Sequence, residues 1–346
     1  MMPPDVSVVI INYNGGAFLQ EAVNSVARQT FQNFELIVFD NASTDGSAEA
    51  LDLSQLGQAR LIRHEANIGF AAGNNRAAEL ARGRWLVLLN PDTVASPDWL
   101  EKLVAATMAF PACRTFTSAQ LDLNTPGMLD GAGDAYLVFG FPWRGGFGRP
   151  ASELPATGWC FSACGAAAMY DIALFREMGG FDERFFCYCE DVDLGFRLQL
   201  AGYDCLFVAD ATVQHAGSGI SGRKSDFSTY HGTRNRLWTY FKNMPLAVLI
   251  LTLPAHIIFT LYIFLNGLKR SNSRSMLRGL RDGIRGIPGV LKPSPWKCVK
   301  RRRSLTSLLR AMAWNPFWAH SLKVHVRKLP PQTISELSHN ANMSAE

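Results

Sequence analysis

Three acidic residues stand close together behind an apolar run in the segment RFFCYCEDVDLGFRLQLAGY, residues 184–203. They are Glu190, Asp191 and Asp193, and such crowded carboxylates repel one another unless a cation, a helix terminus or a substrate compensates. Asp193 fits the first turn of a predicted helix, where the helix dipole favours an acid. Glu190 and Asp191 follow aromatic residues that would hold them beside a buried pocket. Neighbouring carboxylates shielded from water suit a general base, because one raises the proton affinity of the other.

Two further acids follow apolar runs that predict strands. Asp40 ends the run FELIVFD, and it could accept hydrogen bonds from a pyrimidine or a ribose, or cap the next turn. Asp92 follows RWLVLLNP, and it could bind a divalent cation that bridges a diphosphate, or stand in an Asx-Pro turn. No G-x-G-x-x-G sequence follows the first apolar run, which argues against a dinucleotide cofactor.

A histidine and two arginines offer positive charge further along the chain. His215 follows the predicted strand ADATVQ. A lone histidine is more often structural, and contact with a metal or a phosphate is the alternative. Arg234 and Arg236 stand in the sequence RNR and fit either phosphate ligands or surface charges.

The elements that must position these residues are strands alternating with helices. VSVVIINY, FELIVFD, ARLIRH and RWLVLLNPDT predict strands, and helices follow Gly15-Gly16 and begin within NIGFAAGNNRAAELARG. This alternation indicates a Rossmann-like α/β fold with a mainly parallel, doubly wound sheet. Ligands of such sheets bind at the carboxyl ends of the strands. The candidate ligand-binding residues are therefore Asn12–Asn14, Asp40, Asn67–Phe70 and Asn90–Asp92.

The rest of the composition fits a globular protein with some membrane contact. Hydrophobic residues make up 48% of the 346 residues and charged residues 18%, which excludes a disordered chain. Residues 110–155 are glycine-rich, with the sequence GFPWRGGFGRP, and predict long loops and short strands that could close over a site. A chain of this length can bury a sizeable core in one large or two ordinary domains.

Taken together, these segments resemble the inverting family 2 glycosyltransferases of the GT-A fold, over about residues 6–243. The resemblance rests on VSVVIINYN, FDNASTDGS, NIGFAAGNN, LLNPDT, GGFDERFFCYCEDVDLGFRLQLAGY and QHAGSGIS…YHGTRNR. It is greatest to bacterial rhamnosyltransferase-like members that build cell-surface polysaccharides. It implies transfer of a sugar, with rhamnose the first candidate, from a nucleoside-diphosphate sugar to a lipid-linked or growing cell-surface glycan.

The resemblance also implies where the donor binds. Asp40 and the loop of Asn12, Tyr13 and Asn14 would hold the nucleotide, with Asn67 and Gly69 nearby. LLNPDT occupies the position of the family's metal-binding D-x-D motif. Asn90 stands where the first acid is expected, which leaves Asp92 as the ligand of Mg²⁺ or Mn²⁺.

The same resemblance implies how the reaction proceeds. Asp191 matches the general base that takes the proton of the acceptor hydroxyl, with Glu190 beside it. His215, Arg234 and Arg236 would help the cation to stabilise the leaving diphosphate. The resemblance thus gives one acid of the crowded segment, Asp191, a catalytic role.

An apolar run and a basic tail predict membrane association. No charged residue stands between Lys242 and Lys269, and these 26 residues exceed the ~20 needed to span a bilayer. A single span would translocate the basic tail, against the positive-inside preference. Because Pro254 is expected to break the helix, the segment 245–268 is predicted to be re-entrant or in-plane at the cytosolic face. A single-pass helix and an ordinary core helix are the alternatives.

Charge divides the chain in the same place. Residues 1–240 carry a net charge of −9 and residues 241–346 a net charge of +14. We therefore predict a catalytic domain at 1–240, an apolar and basic membrane-associated helical region at 241–330 and a disordered tail at 331–346. The basic region suits an anionic membrane surface. Nucleic acid is not expected as a partner, because no nucleic-acid-binding fold accompanies the charge.

Cysteine usage and the N-terminus predict a cytosolic location. The seven cysteines are an odd number without C-x-x-C spacing, and MMPPDVSVVI lacks the pattern of a secretory signal. Two other functions remain open for the same residues. One is a nucleotidyl- or phosphoryl-transfer enzyme, which would not release an intact nucleoside diphosphate from a nucleotide-sugar. The other is a non-catalytic membrane scaffold of the same fold.

Overall fold

An eleven-stranded sheet forms the centre of the protein in this computed structural model, which describes residues 3–217, 225–268, 271–292, 294 and 301–329. β8 and β9 form a separate hairpin outside it. The strands of the described residues are β1 (Val6–Asn12), β2 (Phe34–Asp40), β3 (Ala59–Arg63), β4 (Trp85–Leu89), β5 (Thr93–Ala95), β6 (Thr115–Asp122), β7 (Leu129–Ala132), β8 (Asp134–Leu137), β9 (Phe141–Arg144), β10 (Gly158–Cys160), β11 (Ala167–Asp171), β12 (Cys205–His215) and β13 (Arg327–Lys328).

Most of the long strands run in one direction. β3, β2, β1 and β4 lie side by side in that order and are parallel. β11 pairs antiparallel with both β4 and β6, so β6 and its parallel neighbour β12 share the direction of β4. β10 and β13 complete that edge in antiparallel pairs. The predicted α/β fold with a mainly parallel sheet is confirmed.

Helices cover both faces of this sheet. Within the described residues they are α1 (Gly16–Ala27), α2 (Gly69–Leu80), α3 (Trp99–Ala109), α4 (Ile172–Glu177), α5 (Glu190–Ala201), α6 (Asp226–Asn243), α7 (Leu246–Gly267), α8 (Ser273–Leu291), α9 (Leu305–Ala311) and α10 (Pro316–His320). α1 and α3 pack on one face, and α2, α4 and α5 pack on the other.

The central strand β1 shows why the apolar runs predict strands correctly. Side chains alternate across a strand, and Val8 and Ile10 pack with α1 and α3, whereas Val9 and Ile11 pack with the opposite layer. A strand covered on both faces is apolar at nearly every position, and the buried Ser7 within β1 is satisfied by a hydrogen bond to Glu35. The polar residues that follow β1, β2 and β4 therefore meet at one edge of the sheet.

A buried ion cluster fixes α5 against α6. The Asp193 carboxylate of α5 accepts hydrogen bonds from Lys242 Nζ at 2.8 Å and from Arg197 Nε at 2.9 Å. Lys242 also reaches Asp182 at 2.7 Å, and the side chains of Lys242, Asp182 and Asp193 are fully buried. Asp193 thus has a structural role beyond the helix dipole, because its ion pairs join α5 to α6.

Helix α7 contains the apolar run, and it is one continuous helix. The expectation that Pro254 breaks it is wrong: the helix runs through Pro254 without interruption. A proline removes a single backbone hydrogen bond, and contacts on either side of it hold the helix in place. Thr252 Oγ1 lies 2.8 Å from the Tyr240 hydroxyl, and His256 Nδ1 lies 2.7 Å from the Phe139 carbonyl oxygen.

The opposite face of α7 is apolar and exposed. It presents Leu246, Ile250, Leu251, Ile257, Ile258, Leu261, Tyr262 and Leu265. By length and composition α7 could cross a membrane, and among the described residues it is the one helix that meets this criterion. Because only one stripe of α7 is buried, it is not an ordinary core helix.

The region after residue 240 is built into the same body as the sheet. α6 runs across the predicted boundary at 240, α8 packs along α6, and β13 adds an edge strand beside β10. The predicted disordered tail, 331–346, lies outside the described residues.

Candidate functional site

Two adjoining cavities lie at the carboxyl edge of the parallel strands. The Asp92 cavity, about 200 Å³, is lined by Ile11, Tyr13, Asn41, Asn67, Gly69, Phe70, Asn90, Pro91, Asp92, Arg144, Phe186, Cys187, Tyr188, His215 and Phe227. The Asp191 cavity, about 260 Å³, is lined by Phe70, Asn90, Asp134, Pro142, Trp143, Arg144, Cys164, Gly165, Ala166, Cys187, Tyr188, Cys189, Glu190, Asp191, Val192 and Gly232. Asn90 and Arg144 belong to both walls, so the two acids face neighbouring spaces.

The loops after β1 and β2 are held together by Asn12. Its side-chain amide is fully buried and donates to Asp40 Oδ1 at 2.8 Å and to the Ser43 hydroxyl at 2.9 Å. Asn14 adopts a left-handed conformation, φ 54°, and its Oδ1 accepts the Thr44 amide at 2.8 Å. Asn12, Asn14 and Asp40 therefore shape the loop, and among the described residues they are not in the lining of either cavity.

Asn41, which directly follows β2, lines the Asp92 cavity and was not singled out from the sequence. Its amide donates to Asn67 Oδ1 at 3.0 Å and to the Gly69 carbonyl oxygen at 3.1 Å. Gly69 has φ 87°, and a Cβ built on it would lie 2.6 Å from the Phe186 carbonyl oxygen. Only glycine allows this close approach, which brings the Phe186 backbone against α2.

Asp92 lies at one end of a chain of charged groups. His215 Nε2 is 3.2 Å from Asp92 Oδ1, and His215 Nδ1 is 2.6 Å from Asp130 Oδ2. Arg144 Nη1 donates to the same Asp130 oxygen. Burial alone would lower the pKa of His215, but its bonds with Asp130 and Asp92 raise that pKa above the ordinary value. The predicted pair Asp92–His215 is thus brought together.

The residues around Asp92 fit a hard divalent cation. Asp92 is 4% exposed, and its carboxylate faces the cavity that Asn90 also lines. Asn90 Oδ1 is buried without a hydrogen-bond partner among the described residues. A buried amide oxygen without a donor beside a carboxylate matches the oxygen ligands that Mg²⁺ and Mn²⁺ take.

Asp191 is held by backbone amides at the start of α5. Its Oδ2 accepts the Gly165 amide at 2.8 Å and its Oδ1 accepts the Val192 amide at 2.8 Å. Burial raises the pKa of Asp191, and the two amides only partly oppose this. A carboxylate with raised proton affinity, at the wall of a cavity, can take a proton from a hydroxyl group.

Two other acids lie close to Asp191. Burial and the charge of Asp191 raise the pKa of Glu190 well above its usual range, and Glu190 Oε2 has no partner among the described residues. Burial and Asp191 likewise raise the pKa of Asp134. Ligand atoms of Asp134, Cys164 and Asp191 lie within 4.8 Å of one another. The Asp191 cavity is therefore lined by three carboxyl groups, of which Asp134 was not predicted.

The turn before α5 has an unusual backbone. Phe186, Tyr188 and Cys189 adopt φ values of 66°, 69° and 65°. Left-handed residues with side chains cost of the order of 1–3 kcal/mol each and persist where surrounding contacts hold them. Cys187 and Tyr188 of this turn line both cavities. The shape of the turn therefore determines where the Asp191 cavity lies relative to the Asp92 cavity.

The structure places the two predicted diphosphate ligands away from the cavities. Arg234 stacks on Trp238, with its guanidinium 4.3 Å from the ring centroid, and donates to the Phe185 carbonyl oxygen at 2.8 Å. Arg236 is buried, 3.2 Å from Thr260 Oγ1 of α7. Neither lines the Asp92 cavity or the Asp191 cavity. The arginine that lines both of these cavities is Arg144, at the end of β9.

The model of the family "Glycosyl transferase family 2" matches residues 7–177. This segment extends from β1 to α4 and contains Asp40, Asp92, Asp130 and Arg144. The protein is a family 2 glycosyltransferase. In this glycosyltransferase the strand-end loops and the glycine-rich segment both fall within the matched residues, whereas Asp191 and His215 follow them.

Curated relatives extend the likeness beyond that segment. The glycosyltransferase is 28% identical over 242 residues to "N-acetylglucosaminyl-diphospho-decaprenol L-rhamnosyltransferase" of Mycobacterium tuberculosis, covering 62% of this chain and 77% of that protein. It is 30% identical over 240 residues to "O-antigen biosynthesis protein RfbC" of Myxococcus xanthus, covering 64% of this chain and 18% of that protein. The expected resemblance to rhamnosyltransferase-like members is confirmed.

A solved structure shares the fold. A crystal structure of S. aureus TarS 1-349 in complex with UDP-GlcNAc aligns with a TM-score of 0.55 at 18% identity, over 83% of this chain and 82% of that one. At this identity the likeness concerns the fold alone.

Gly69 provides a test of the contact between α2 and the turn before α5. Gly69→Ala should cost about 1–2 kcal/mol for the left-handed backbone, plus about 1–3 kcal/mol for overpacking against Phe186. We also expect nucleoside-diphosphate binding to weaken at least tenfold. Thermal unfolding and calorimetry with UDP, GDP and dTDP measure the two effects.

Gly127→Ala is the matched control, because Gly127 has φ 81° and no atom lies within 4 Å of the position that a Cβ would take. It carries the backbone strain without the clash. Equal losses of stability and binding in the two variants would contradict a specific role for the Gly69–Phe186 contact.

Proposed function

We propose that this glycosyltransferase is an inverting enzyme that moves a sugar from a nucleoside-diphosphate sugar to an acceptor hydroxyl group. The observation that carries the proposal is the adjacency of the two cavities, with Asp92 in one and Asp191 in the other. A donor diphosphate beside Asp92 and an acceptor beside Asp191 would approach the same sugar from opposite sides. That is the geometry of a direct displacement with inversion.

In the proposed reaction the acceptor oxygen attacks the anomeric carbon as the bond from that carbon to the diphosphate oxygen breaks. The nucleoside diphosphate leaves with the bonding electrons, and Asp191 takes the hydroxyl proton. The raised pKa of Asp191 suits this proton transfer. Glu190 and Asp134 lie close to Asp191, and burial together with the charge of Asp191 raises the pKa of both.

Asp92, with Asn90 and His215, would hold the divalent cation. When bound, Mg²⁺ or Mn²⁺ supplies charge neutralisation for the leaving diphosphate. A mannosyltransferase from Pyrobaculum calidifontis in complex with GDP-Man and Mn²⁺ shares the fold, with a TM-score of 0.52 at 16% identity over 90% of this chain and 79% of that one. Arg144 is the residue of this chain that would add positive charge, in place of Arg234 and Arg236.

The nucleotide would bind at the strand-end loops. Tyr13, Asn67 and Gly69 line the Asp92 cavity and would contact the nucleotide directly. Asn12 and Asn14 would act through the loop whose shape they determine. Asp40 would bind the base or the ribose of the nucleotide. Within this loop its Oδ2 accepts a single long hydrogen bond, from the Ser43 amide at 3.2 Å, so it can accept another from a ligand.

The proposed sugar is rhamnose and the proposed acceptor a lipid-linked or growing cell-surface glycan. Support comes from the curated relative, whose printed name combines L-rhamnosyl transfer with an N-acetylglucosaminyl-diphospho-decaprenol. The apolar face of α7 supports an acceptor that is held at a membrane. Phe259 of α7 contacts Phe141, which begins the strand β9 that ends at Arg144. Three residues of strand span ~10 Å, so the site lies near this surface.

We propose that α7 lies in the plane of the cytosolic membrane surface. Its buried stripe contacts the catalytic body along the helix, at Thr252, His256 and Thr260, and a spanning orientation would break these contacts. Its exposed stripe is apolar, as burial in the acyl boundary requires. Neighbouring α8 carries arginines that anionic headgroups would attract. The donor requires the cytosolic side.

Asp191→Asn tests the base. It keeps the shape and removes the proton acceptor, so transfer should fall by about 10²–10⁴-fold while nucleoside-diphosphate binding changes little. The measurement is release of intact nucleoside diphosphate from a panel of nucleotide-sugars, with an N-acetylglucosaminyl-diphospho-polyprenol as acceptor. Asp204→Asn, on an ion pair with Arg303 outside both cavities, is the control.

Near-normal transfer by the Asp191 variant would contradict the assignment. Release of a sugar phosphate in place of the diphosphate would favour nucleotidyl transfer. Release of a nucleoside monophosphate, with the sugar phosphate moved to the acceptor, would favour phosphoryl transfer. No turnover of any donor by the folded wild-type protein would favour a scaffold.

Asp92→Ala tests the cation. Nucleoside-diphosphate binding should weaken at least tenfold in Mg²⁺ or Mn²⁺, because the cation couples the protein to the diphosphate. In a chelator the variant and the wild type should bind alike. Calorimetry with UDP, GDP and dTDP measures both conditions. Wild-type activity that survives thorough chelation would contradict the metal role and leave charge neutralisation to Arg144 and His215.

Leu251 and Ile258 test the membrane surface, since they are 80% and 68% exposed. Burying a Leu or Ile side chain is worth roughly 1.5–3 kcal/mol, so Leu251→Glu with Ile258→Glu should reduce vesicle binding more than tenfold. Flotation with phosphatidylglycerol-containing vesicles measures it, in low and high salt. Met108→Glu, at a 78% exposed position of α3, is the control.

High salt alone should not release the wild-type protein, because apolar burial persists when charges are screened. Alkaline carbonate should release it if α7 lies in plane. Retention in carbonate would show a membrane-spanning helix instead.

A further inference from the structure

Asn235 of α6 faces the turn that precedes Asp191. It is fully buried, and its Nδ2 lies 2.9, 2.8 and 2.7 Å from the carbonyl oxygens of Phe185, Cys187 and Tyr188. The side-chain NH₂ group has two hydrogens to donate, so the three carbonyl groups share the two hydrogens of one nitrogen. The carbonyl side of this amide is fixed too, because Asn235 Oδ1 accepts Arg234 Nε at 2.8 Å.

The turn needs such a partner for a physical reason. Left-handed conformations at Phe186, Tyr188 and Cys189 rotate successive peptide groups out of any helix or sheet ladder. The carbonyl groups of Phe185, Cys187 and Tyr188 then point toward α6, whereas the Phe186 carbonyl oxygen accepts the Ala71 amide of α2. A carbonyl group shielded from water requires a donor. Asn235 provides it, and Arg234 adds a second bond to Phe185 at 2.8 Å.

The position of this turn decides the geometry of both cavities. Cys187 and Tyr188 line the Asp92 and Asp191 cavities, and Cys189 is the residue from which α5 begins. Asp191 is the second residue of α5. Asn235 itself lines neither cavity in the described residues, so it cannot act on a substrate directly.

We propose that Asn235 is a positioning residue: it holds residues 185–189 in the conformation that places Asp191 against the acceptor and Tyr188 against the donor. Arg234, which the sequence suggests as a phosphate ligand, completes this clamp. The inference rests on the proposed role of Asp191 as the base. It gives Arg234 and Asn235 of the RNR sequence a structural role, which is to bind the backbone of the turn before α5.

Three variants of the full-length protein test the clamp. Asn235→Ala removes the donors, and Asn235→Ser keeps one donor on a shorter side chain. Asn243→Ala is the matched control, because Asn243 is a buried asparagine of the same helix whose amide bonds Asp193 Oδ1 at 2.7 Å and not the turn. All are compared well below their unfolding temperatures.

Two readouts separate positioning from general stability. We expect Asn235→Ala to lower kcat for sugar transfer at least thirtyfold, and Asn235→Ser to lie between it and the wild type. We expect hydrogen exchange of the Phe186 and Cys187 amides, which bond Glu183 and Phe185, to accelerate at least tenfold. Asn243→Ala should lower the unfolding temperature without either change.

Several outcomes would overturn the inference. One is a kcat within twofold of the wild type in folded Asn235→Ala. Another is unchanged exchange of the turn in that variant, or equal effects in Asn243→Ala. If both Asn235 variants fail to fold, the wild-type protein decides, because the inference requires the Phe186 and Cys187 amides to exchange as slowly as those of α6. A wild-type protein without transfer activity would contradict the proposed function and leave the exchange test of the clamp intact.

Discussion

The left-handed turn at residues 185–189 is the constraint on which the rest of the site depends. Its three strained residues cost of the order of 1–3 kcal/mol each, whereas one hydrogen bond contributes about 0.5–1.5 kcal/mol. No single contact can therefore hold it. Asn235 and Arg234 bind its carbonyl groups, and Gly69 allows its backbone to approach α2. The buried ion cluster of Lys242 keeps α6 beside α5, so that these contacts act together.

The two cavities on either side of this turn have opposite electrostatics. Around Asp92, His215 and the Arg144–Asp130 pair balance the charges, which suits a site for an anionic diphosphate and its cation. Around Asp191, burial and neighbouring acids raise carboxyl pKa values, which suits proton uptake. Arg144 lines both cavities and, among the described residues, is the one that brings a charge to each. The proposed reaction needs both environments, one to neutralise a leaving diphosphate and the other to take a proton from an incoming hydroxyl group.

The proposed membrane association rests on the same packing that completes the fold. α7 buries a stripe against the sequence around Gly140 and leaves an apolar stripe exposed. Phe141 and Arg144 stand at the two ends of the short strand β9, so the helix with the exposed apolar face and the two cavities share one structural element. An acceptor bound to a lipid would need this short distance, because its reactive hydroxyl group lies close to the headgroups.

The family resemblance placed Asp92 and His215 at one site, whereas the residue pattern predicted the strands, their mainly parallel arrangement and the sheet edge at which their polar ends meet. These depend on local periodicity and on strand ends, which a chain pattern records directly. No local motif marks Arg144, Asp134 or Asp130. The β8–β9 hairpin brings Asp134 and Arg144 to the site, and β7, paired with β6, brings Asp130. The tertiary structure also turned Arg234 toward the backbone, used Asp193 in a buried ion cluster and kept α7 continuous through Pro254. In each case the partner is remote in sequence, and only packing selects between roles that one residue type allows.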